Sequence, residues 1–171
     1  METWDARTSR RNVREFSDHV LGETDLERIL EAGRRTPSSR NWQPWDFVVV
    51  TDPQRLAELA GVWRGAWHVA NAKAAVAIIA PVLDTEKERN TLHFDLGQAV
   101  MAMMLAAADS GIGTGHAAVA DQSLARQILG FPDDRFCAHM ISFGLPADKP
   151  LRPLKRINRR SFDEVVHRHR W

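Results

Sequence analysis

The longest apolar stretch of the chain, LHFDLGQAVMAMMLAAA, runs from Leu92 to Ala108 and limits the fold more than any other feature. Its apolar side chains point in too many directions for one amphipathic stripe, so a helix made from it must be covered on most sides. Alanine, leucine and methionine favour helix, and Gly111 is well suited to end one. A membrane span needs about 20 residues free of charge, whereas Asp95 and Gln98 interrupt this run. We therefore predict a buried central helix.

The length, net charge and cysteine count of the chain argue against several functional classes. The length of 171 residues fits one domain, spanning 1–171. Lysine and arginine number 23 against 22 aspartates and glutamates, so the net charge gives no indication of a nucleic-acid or membrane partner. The single cysteine, Cys137, excludes an internal disulfide and argues against a cysteine-based metal site. Because the first residues also lack the apolar core of a signal peptide, we expect a cytoplasmic protein.

Positive charge is nevertheless concentrated at the two ends of the chain. Between residues 152 and 170, seven lysines and arginines accompany two acidic residues. Near the N-terminus, Arg10, Arg11 and Arg14 lie in a segment, Thr8 to Phe16, that is predicted to form a short helix or turn. Their spacing allows at least two guanidinium groups to converge on an anion. The alternative is a solvated basic turn, since surface arginines are common. Nucleic-acid binding by the basic tail is a further alternative, against which the near-neutral total charge argues.

Helices and strands alternate along the chain, which predicts an α+β or α/β sheet wrapped by helices. Thr24 and Glu27 have the spacing of a capping box for a helix over Asp25 to Arg35. Asp52 and Asp121 are predicted to cap two further helices, the first reaching about Val62 and the second covering Gln122 to Leu129. Four apolar runs are predicted to be strands: Phe47–Val50, Ala74–Ala80, Thr114–Val119 and Phe136–Phe143.

The stretch TPSSRNWQPWDFVVV joins the first of these helices to the first strand and is rich in hydrogen-bond donors and aromatic residues. Arg40, Asn41 and Gln43 could hold a polar ligand while Trp42 or Trp45 covers its flat part. The alternative is an ordinary loop whose tryptophans pack in the core. From residue types alone, the two interpretations are about equally good.

Three other patterns admit both a functional and a structural explanation. Trp63 and Trp67 either wall a pocket or pack in the core, the more frequent role of such a pair. The glycines of GIGTG, 111–115, permit close approach of the backbone to a ligand, although no helix follows as in a dinucleotide-binding fingerprint. Cys137 and His139 are expected on one face of a strand, where core packing is favoured over a nucleophilic pair.

Five short motifs occur in order along nearly the whole chain. They are RRNVREF at 10–16, PSSRNWQPW at 37–45, DLGQA at 95–99 leading to GIGTG at 111–115, FGLPA at 143–147 and FDEVVH at 162–167. Together they resemble the nitroreductase family of flavin enzymes. The resemblance implies an α+β, nitroreductase-like three-layer sandwich with a central mixed sheet wrapped by helices. It also implies a homodimer, with the long central helix at the subunit interface.

The resemblance further implies an FMN bound between the two subunits. Its phosphate would be held by Arg10, Arg11 and Arg14, joined by Arg159 or Arg160, because guanidinium groups fork onto phosphate oxygens. Asn12 stands where the family usually has serine, and its amide can still donate to the phosphate or the ribityl chain. The remaining cofactor contacts implied by the motifs are Ser39, Asn41 and Gln43 at the ribityl chain or ring edge, and Gly115, His116 and Ala117 beside the isoalloxazine, with a backbone N–H directed at N5.

The chemistry implied by the resemblance belongs mainly to the flavin. NAD(P)H would deliver hydride, leave, and be replaced by a nitroaromatic, quinone or similar conjugated acceptor in a ping-pong sequence. No acid–base side chain and no metal is required. A non-catalytic flavin-binding or storage protein on the same fold is the alternative function. NADH, NADPH and a deazaflavin remain open as electron donors.

Overall fold

The computed structural model describes residues 2–154 and 158–171 of the chain. Its α-helices are α1 (Thr3–Ser9), α2 (Glu23–Arg34), α3 (Pro53–Leu59), α4 (Glu86–Asp109), α5 (Gln122–Leu129) and α6 (Phe162–Val165). Short 3₁₀ segments cover Ser39–Asn41, Ala60–Val62 and Arg64–Asn71. The strands are β1 (Asp46–Val50), β2 (Ala74–Pro81), β3 (Gly113–Ala117) and β4 (Arg135–Gly144). All four predicted strands are therefore confirmed, with ends shifted by at most two residues.

The four strands form one sheet in the order β1-β2-β4-β3. Strand β2 is buried on both faces. Its Val76 and Ile78 pack with α2 and α4, whereas Ala77 and Ile79 pack with α3, α5 and the 3₁₀ segments. The three-layer sandwich is thus confirmed. All three strand pairs are antiparallel, and the parallel part of the expected mixed sheet is a single bridge between Asn12 and Thr114.

Helix α4 is the predicted central helix, and at 24 residues it is longer than the apolar run. It begins earlier because the Thr85 side chain accepts a hydrogen bond from the Glu88 N–H and caps the charged first turn. Leu96 and Met103 are fully buried against the sheet, whereas Phe94 is 69% exposed. By length and composition α4 could cross a membrane. A core helix of this kind satisfies the same criteria, and half of its most apolar window is buried inside the fold.

The predicted helix caps were partly right. Asp52 and Asp121 accept hydrogen bonds from the backbone of Arg55 and Leu124, as expected. The capping box at Thr24 was wrong, because α2 begins at Glu23 and its N-cap is Gly22. Thr24 therefore lies inside the first turn. There the acidic residues of the turn interact favourably with the helix dipole, so the start does not depend on a side-chain cap.

The expectation that Cys137 and His139 share one face of β4 was also wrong. Strand β4 contains a bulge: Ile78 pairs with His139 and Ile79 with Cys137, which leaves Ala138 as an extra residue. Cys137 consequently points into the core on the α3 side, while the His139 ring contacts His93 of α4. Burial raises the pKa of the Cys137 thiol to about 12. A Cys–His nucleophilic pair is therefore not formed.

Candidate functional site

The N-terminal arginine segment lies along the outer edge of β3. Instead of the predicted helix or turn, residues 10–16 are extended after α1, and the Val13 N–H donates to the Thr114 carbonyl at 2.8 Å. Val13 is buried so close to Gly113 that a Cβ there would lie 2.6 Å from its side chain. Because Thr114 directs its carbonyl outward, the backbone of His116, two residues on, faces the same edge.

A cleft opens beside this edge, with a volume of about 370 Å³. It is lined by Asn12, Arg14, Trp63, Gly65, Trp67, His116 and Ala118. Trp63 and Trp67 are 37% and 50% exposed, so they wall the cleft rather than pack in the core. The Trp63 ring lies over Gly65, where a Cβ would come within 2.1 Å of it. Glycine at position 65 therefore allows the indole to lie flat along the wall.

Positive charge without an ion-pair partner collects beside this cleft, which Arg14 lines and whose His116 is close to Arg10. The pKa of Arg10 is lowered by partial burial and then by the nearby guanidinium groups of Arg159 and Arg7. Within residues 2–154 and 158–171, the ion pairs include none of these three arginines and not Arg14. Clustered cations without a carboxylate repel one another, and an anionic ligand would relieve that repulsion.

Arg10, Arg11, Arg159 and Arg160 all donate hydrogen bonds within the chain. Arg10 donates to the Asn12 Oδ1 at 3.4 Å and Arg159 to the Asn158 carbonyl at 2.6 Å. The Arg11 guanidinium forms an ion pair with Asp148 at 2.6 Å and also donates to the Lys149 carbonyl at 2.9 Å. Arg160 donates to the Glu164 carbonyl at 3.4 Å. The structure thus brings Arg159, rather than Arg160, into electrostatic contact with Arg10.

A buried polar group that the sequence did not reveal supports β3 from behind. His68 is fully buried, and its Nδ1 lies 2.9 Å from the Ser142 Oγ, which donates to the Gly115 carbonyl at 3.2 Å. Its Nε2 has no well-aligned hydrogen-bond partner among the described residues. The pKa of His68 is lowered by burial and then by the positive charge of Arg14, although an interaction with the His116 backbone acts to raise it. A lone histidine in the segment WHVAN carries no spacing signal that could have identified it.

Ser39, Asn41 and Gln43 lie elsewhere. They belong to the loop before β1, which is at the opposite edge of the sheet from β3. Three strand spacings separate these edges, roughly 14 Å. Trp45 at the end of the loop is buried, and its ring stacks with Phe47, whereas Trp42 remains 42% exposed. One chain therefore does not bring all of the predicted cofactor ligands together.

The chain is similar to known proteins over most of its length. The model of a family described as "Nitroreductase family" matches residues 8–82 and 62–145. A protein of Archaeoglobus fulgidus named as an NADH dehydrogenase/NAD(P)H nitroreductase is 28% identical over 167 residues, covering 95% of each chain. The FMN reductase [NAD(P)H] of Bacillus subtilis is 24% identical over 88% of this chain and 70% of its own. A crystal structure from Parabacteroides distasonis, of a protein also named as an NADH dehydrogenase/NAD(P)H nitroreductase, superposes with a TM-score of 0.84, 26% identity and coverage of 100% and 99%.

Proposed function

The chain belongs to the nitroreductase family, and from that membership we propose that it is an FMN-dependent oxidoreductase. It takes electrons from NAD(P)H and passes them to a nitroaromatic, quinone or similar conjugated acceptor by a ping-pong mechanism. The relatives named as an NAD(P)H nitroreductase and an FMN reductase support this proposal. The observation that carries it for this chain is the group of arginines without ion-pair partners beside the cleft along β3.

The residues at the cleft fit FMN. Arg10 and Arg159 are crowded cations suited to its phosphate, since a phosphate monoester carries close to two negative charges. Trp63 and Trp67 offer flat apolar walls to an aromatic ring system. Arg14, predicted from the sequence as a phosphate ligand, lines the cleft and would instead serve the polar edge of that ring. The outward-facing backbone N–H of His116 is the group that we assign to the ring's N5.

The protein groups would bind and orient, while FMN would supply reversible two-electron chemistry when bound. Arg14 would stabilise negative charge that develops on the reduced ring, because a fixed cation at such an edge favours the anionic form. The tryptophan walls would exclude water from the reacting face. Asn12, exposed beside Arg14, would donate to the phosphate or ribityl chain.

The separation of the two groups of predicted ligands supports a homodimer. Ser39, Asn41 and Gln43 lie across the sheet from the arginine cleft, so a second copy would have to supply them to that cleft. Helix α4 offers a surface for this contact, with Phe94 and Met101 69% and 37% exposed. A Cβ at Gly97, on the same surface, would meet no atom within 4 Å. Two copies of α4 can therefore approach closely there.

The visible spectrum of the purified protein, with identification of the released chromophore, tests the cofactor. A yellow protein that releases FMN is expected, because no dinucleotide-binding fingerprint is present for the adenosine half of FAD. Stoichiometric FAD, or colourless protein that takes up no added FMN, would overturn the proposal. Steady-state oxidation of NADH or NADPH with a nitroaromatic or a quinone then separates an enzyme from a flavin-storage protein, which would bind FMN without turnover.

A further inference from the structure

A buried carboxylate on α4 holds the loop that precedes β1. Asp95 is 1% exposed. Its Oδ2 accepts a hydrogen bond from the Ser39 N–H at 2.9 Å, and its Oδ1 accepts one from the Ser39 Oγ at 3.2 Å. The Gln98 amide lies 3.4 Å from the same Oδ1. In the described parts of the chain, no lysine or arginine forms an ion pair with Asp95. Since burying an unpaired carboxylate is costly, the bonds from Ser39 are its main compensation.

The loop held by Asp95 is strained. Arg40, Asn41 and Gln43 have φ angles of 54°, 56° and 52°. Non-glycine residues remain in this left-handed region only where surrounding contacts compensate the strain. Within the loop, the Ser38 carbonyl accepts from the Asn41 N–H at 2.9 Å, and the Ser38 Oγ accepts from the Gln43 N–H at 2.8 Å. These bonds shape the loop, whereas those of Asp95 attach it to α4.

We propose that Asp95 is a positioning residue for cofactor binding: it fixes this strained loop so that Asn41 and Gln43 are presented to the flavin site of a second subunit. In the single chain the side chains of Asn41 and Gln43 are both exposed, so neither belongs to the hydrophobic core. The effect of Asp95 on FMN binding rests on the proposed function, but the attachment of the loop by Asp95 can be tested without any cofactor.

Limited trypsin digestion of the apoprotein tests the attachment, because Arg40 provides an exposed cleavage site inside the loop. We expect Asp95→Ala to increase the rate of cleavage after Arg40 severalfold, relative to cleavage after Arg55 in α3. Asp95→Asn should behave nearly like the parent, since its amide oxygen still accepts from the Ser39 N–H. Glu86→Gln is the matched control, an exposed acidic residue in the first turn of the same helix. An unchanged ratio of cleavage rates in Asp95→Ala would overturn the attachment.

Titration with FMN tests the consequence. Asp95→Ala should raise the Kd for FMN roughly tenfold, the effect expected for losing hydrogen bonds to a charged group. At saturating FMN its kcat should return to the parent value, whereas general damage to the fold would lower kcat. Ser39→Ala should act through the same contact, so in the cofactor-free trypsin digestion the double variant should be cleaved after Arg40 no faster than Asp95→Ala alone.

Trypsin digestion and FMN titration together distinguish a failure of the positioning role from a failure of the proposed function. Faster cleavage after Arg40 with an unchanged Kd for FMN would overturn the positioning role and leave the proposed function intact. If the parent protein bound no FMN, the proposed function would fail, and with it the role of Asp95 in cofactor binding. Additive increases in the rate of cleavage after Arg40 in the Ser39 and Asp95 variants would contradict a shared contact.

Discussion

The imidazole of His68 and the hydroxyl of Ser142 meet at 2.9 Å in a fully buried position behind β3. Ser142 donates its proton to the Gly115 carbonyl, so its oxygen can accept a hydrogen bond from a protonated His68 Nδ1. The contact joins the 3₁₀ segment Arg64–Asn71 to β3 through β4. The two side chains therefore hold the backbone that carries the proposed contact to the flavin N5.

Gly115→Ala should disturb this arrangement. A Cβ at position 115 would lie 2.7 Å from both the Ser142 Oγ and the Val13 carbonyl, and 2.8 Å from the His68 Cε1. One of these atoms is backbone, so relief requires β3 or the arginine segment to move. We expect a loss of about 1–3 kcal/mol in unfolding free energy, together with weaker FMN binding. Urea denaturation and FMN titration measure the two effects.

Gly61→Ala is the control for this substitution. There the nearest atom to an added Cβ, the Leu124 Cδ2, is 3.5 Å away, an ordinary contact. Equal losses in the two variants would show that the crowding at Gly115 has no special effect.

Arg10→Ala should weaken FMN binding by about 1.5–3 kcal/mol, the range for a charge-assisted hydrogen bond. Removal of a crowded cation relieves repulsion from Arg159, so the apoprotein should keep its stability. Arg14→Ala should also weaken binding, because Arg14 lines the cleft. Quenching of FMN fluorescence on titration gives the Kd, and thermal melts without cofactor give the stability.

Arg11→Ala is the control for the arginine variants, because Arg11 is engaged by Asp148. It should change the FMN affinity less than either of the other substitutions. If Arg10→Ala and Arg14→Ala both bound FMN like the parent, the N-terminal arginines would be only a solvated basic surface.

His139 should make stability fall in acid. Its ring lies 4.9 Å from that of His116 and 6.4 Å from that of His93. Burial, followed by these two neighbours, lowers the pKa of His139 to about 4. The unfolded chain has a histidine pKa of about 6.5, so between these two values it binds a proton that the folded chain does not. Unfolding free energy should therefore fall between about pH 6.5 and 4 by about 1–3 kcal/mol from this group.

His139→Leu should remove that contribution, and the comparison with the parent cancels the acid sensitivity that both proteins share. Urea unfolding of the parent and of His139→Leu, each at about pH 7 and about pH 4.5, gives the four unfolding free energies that the comparison needs. The exposed His19 offers a matched substitution, His19→Leu, as the control for replacing a histidine by leucine. A parallel pH dependence in parent and His139→Leu would contradict a buried neutral imidazole.

Ala102→Arg should dissociate the proposed homodimer. Ala102 lies on the exposed surface of α4 with Phe94, Gly97 and Met101. An arginine in a dry interface would be an unpaired buried charge, which costs several kcal/mol. Sedimentation should then show a monomer, and the yellow colour should be lost with the dimer. Ala57→Arg, at an exposed position on α3, is the control and should retain both.

The sequence predicted features that depend on local chemistry. Apolar runs located the strands, and the short acidic side chains of Asp52 and Asp121 located two helix starts, because each effect acts within a few residues. The bulge at Ala138 escaped prediction, since one extra residue in a ten-residue strand leaves the apolar pattern almost unchanged. The contact of His68 with Ser142 escaped it too, because 74 residues separate them and only the fold brings them together.

The placement of predicted ligands at opposite edges of the sheet has a genetic consequence. In the proposed homodimer, each site takes its arginines from one subunit and its loop residues from the other. An allele carrying Arg10→Ala damages the first half of each site, and one carrying Asn41→Ala with Gln43→Ala damages the second. In a heterodimer of the two, both lesions fall in one site and the other site is intact. Two defective alleles expressed together should therefore complement one another, because some of their sites have the parent affinity for flavin, which neither allele gives alone.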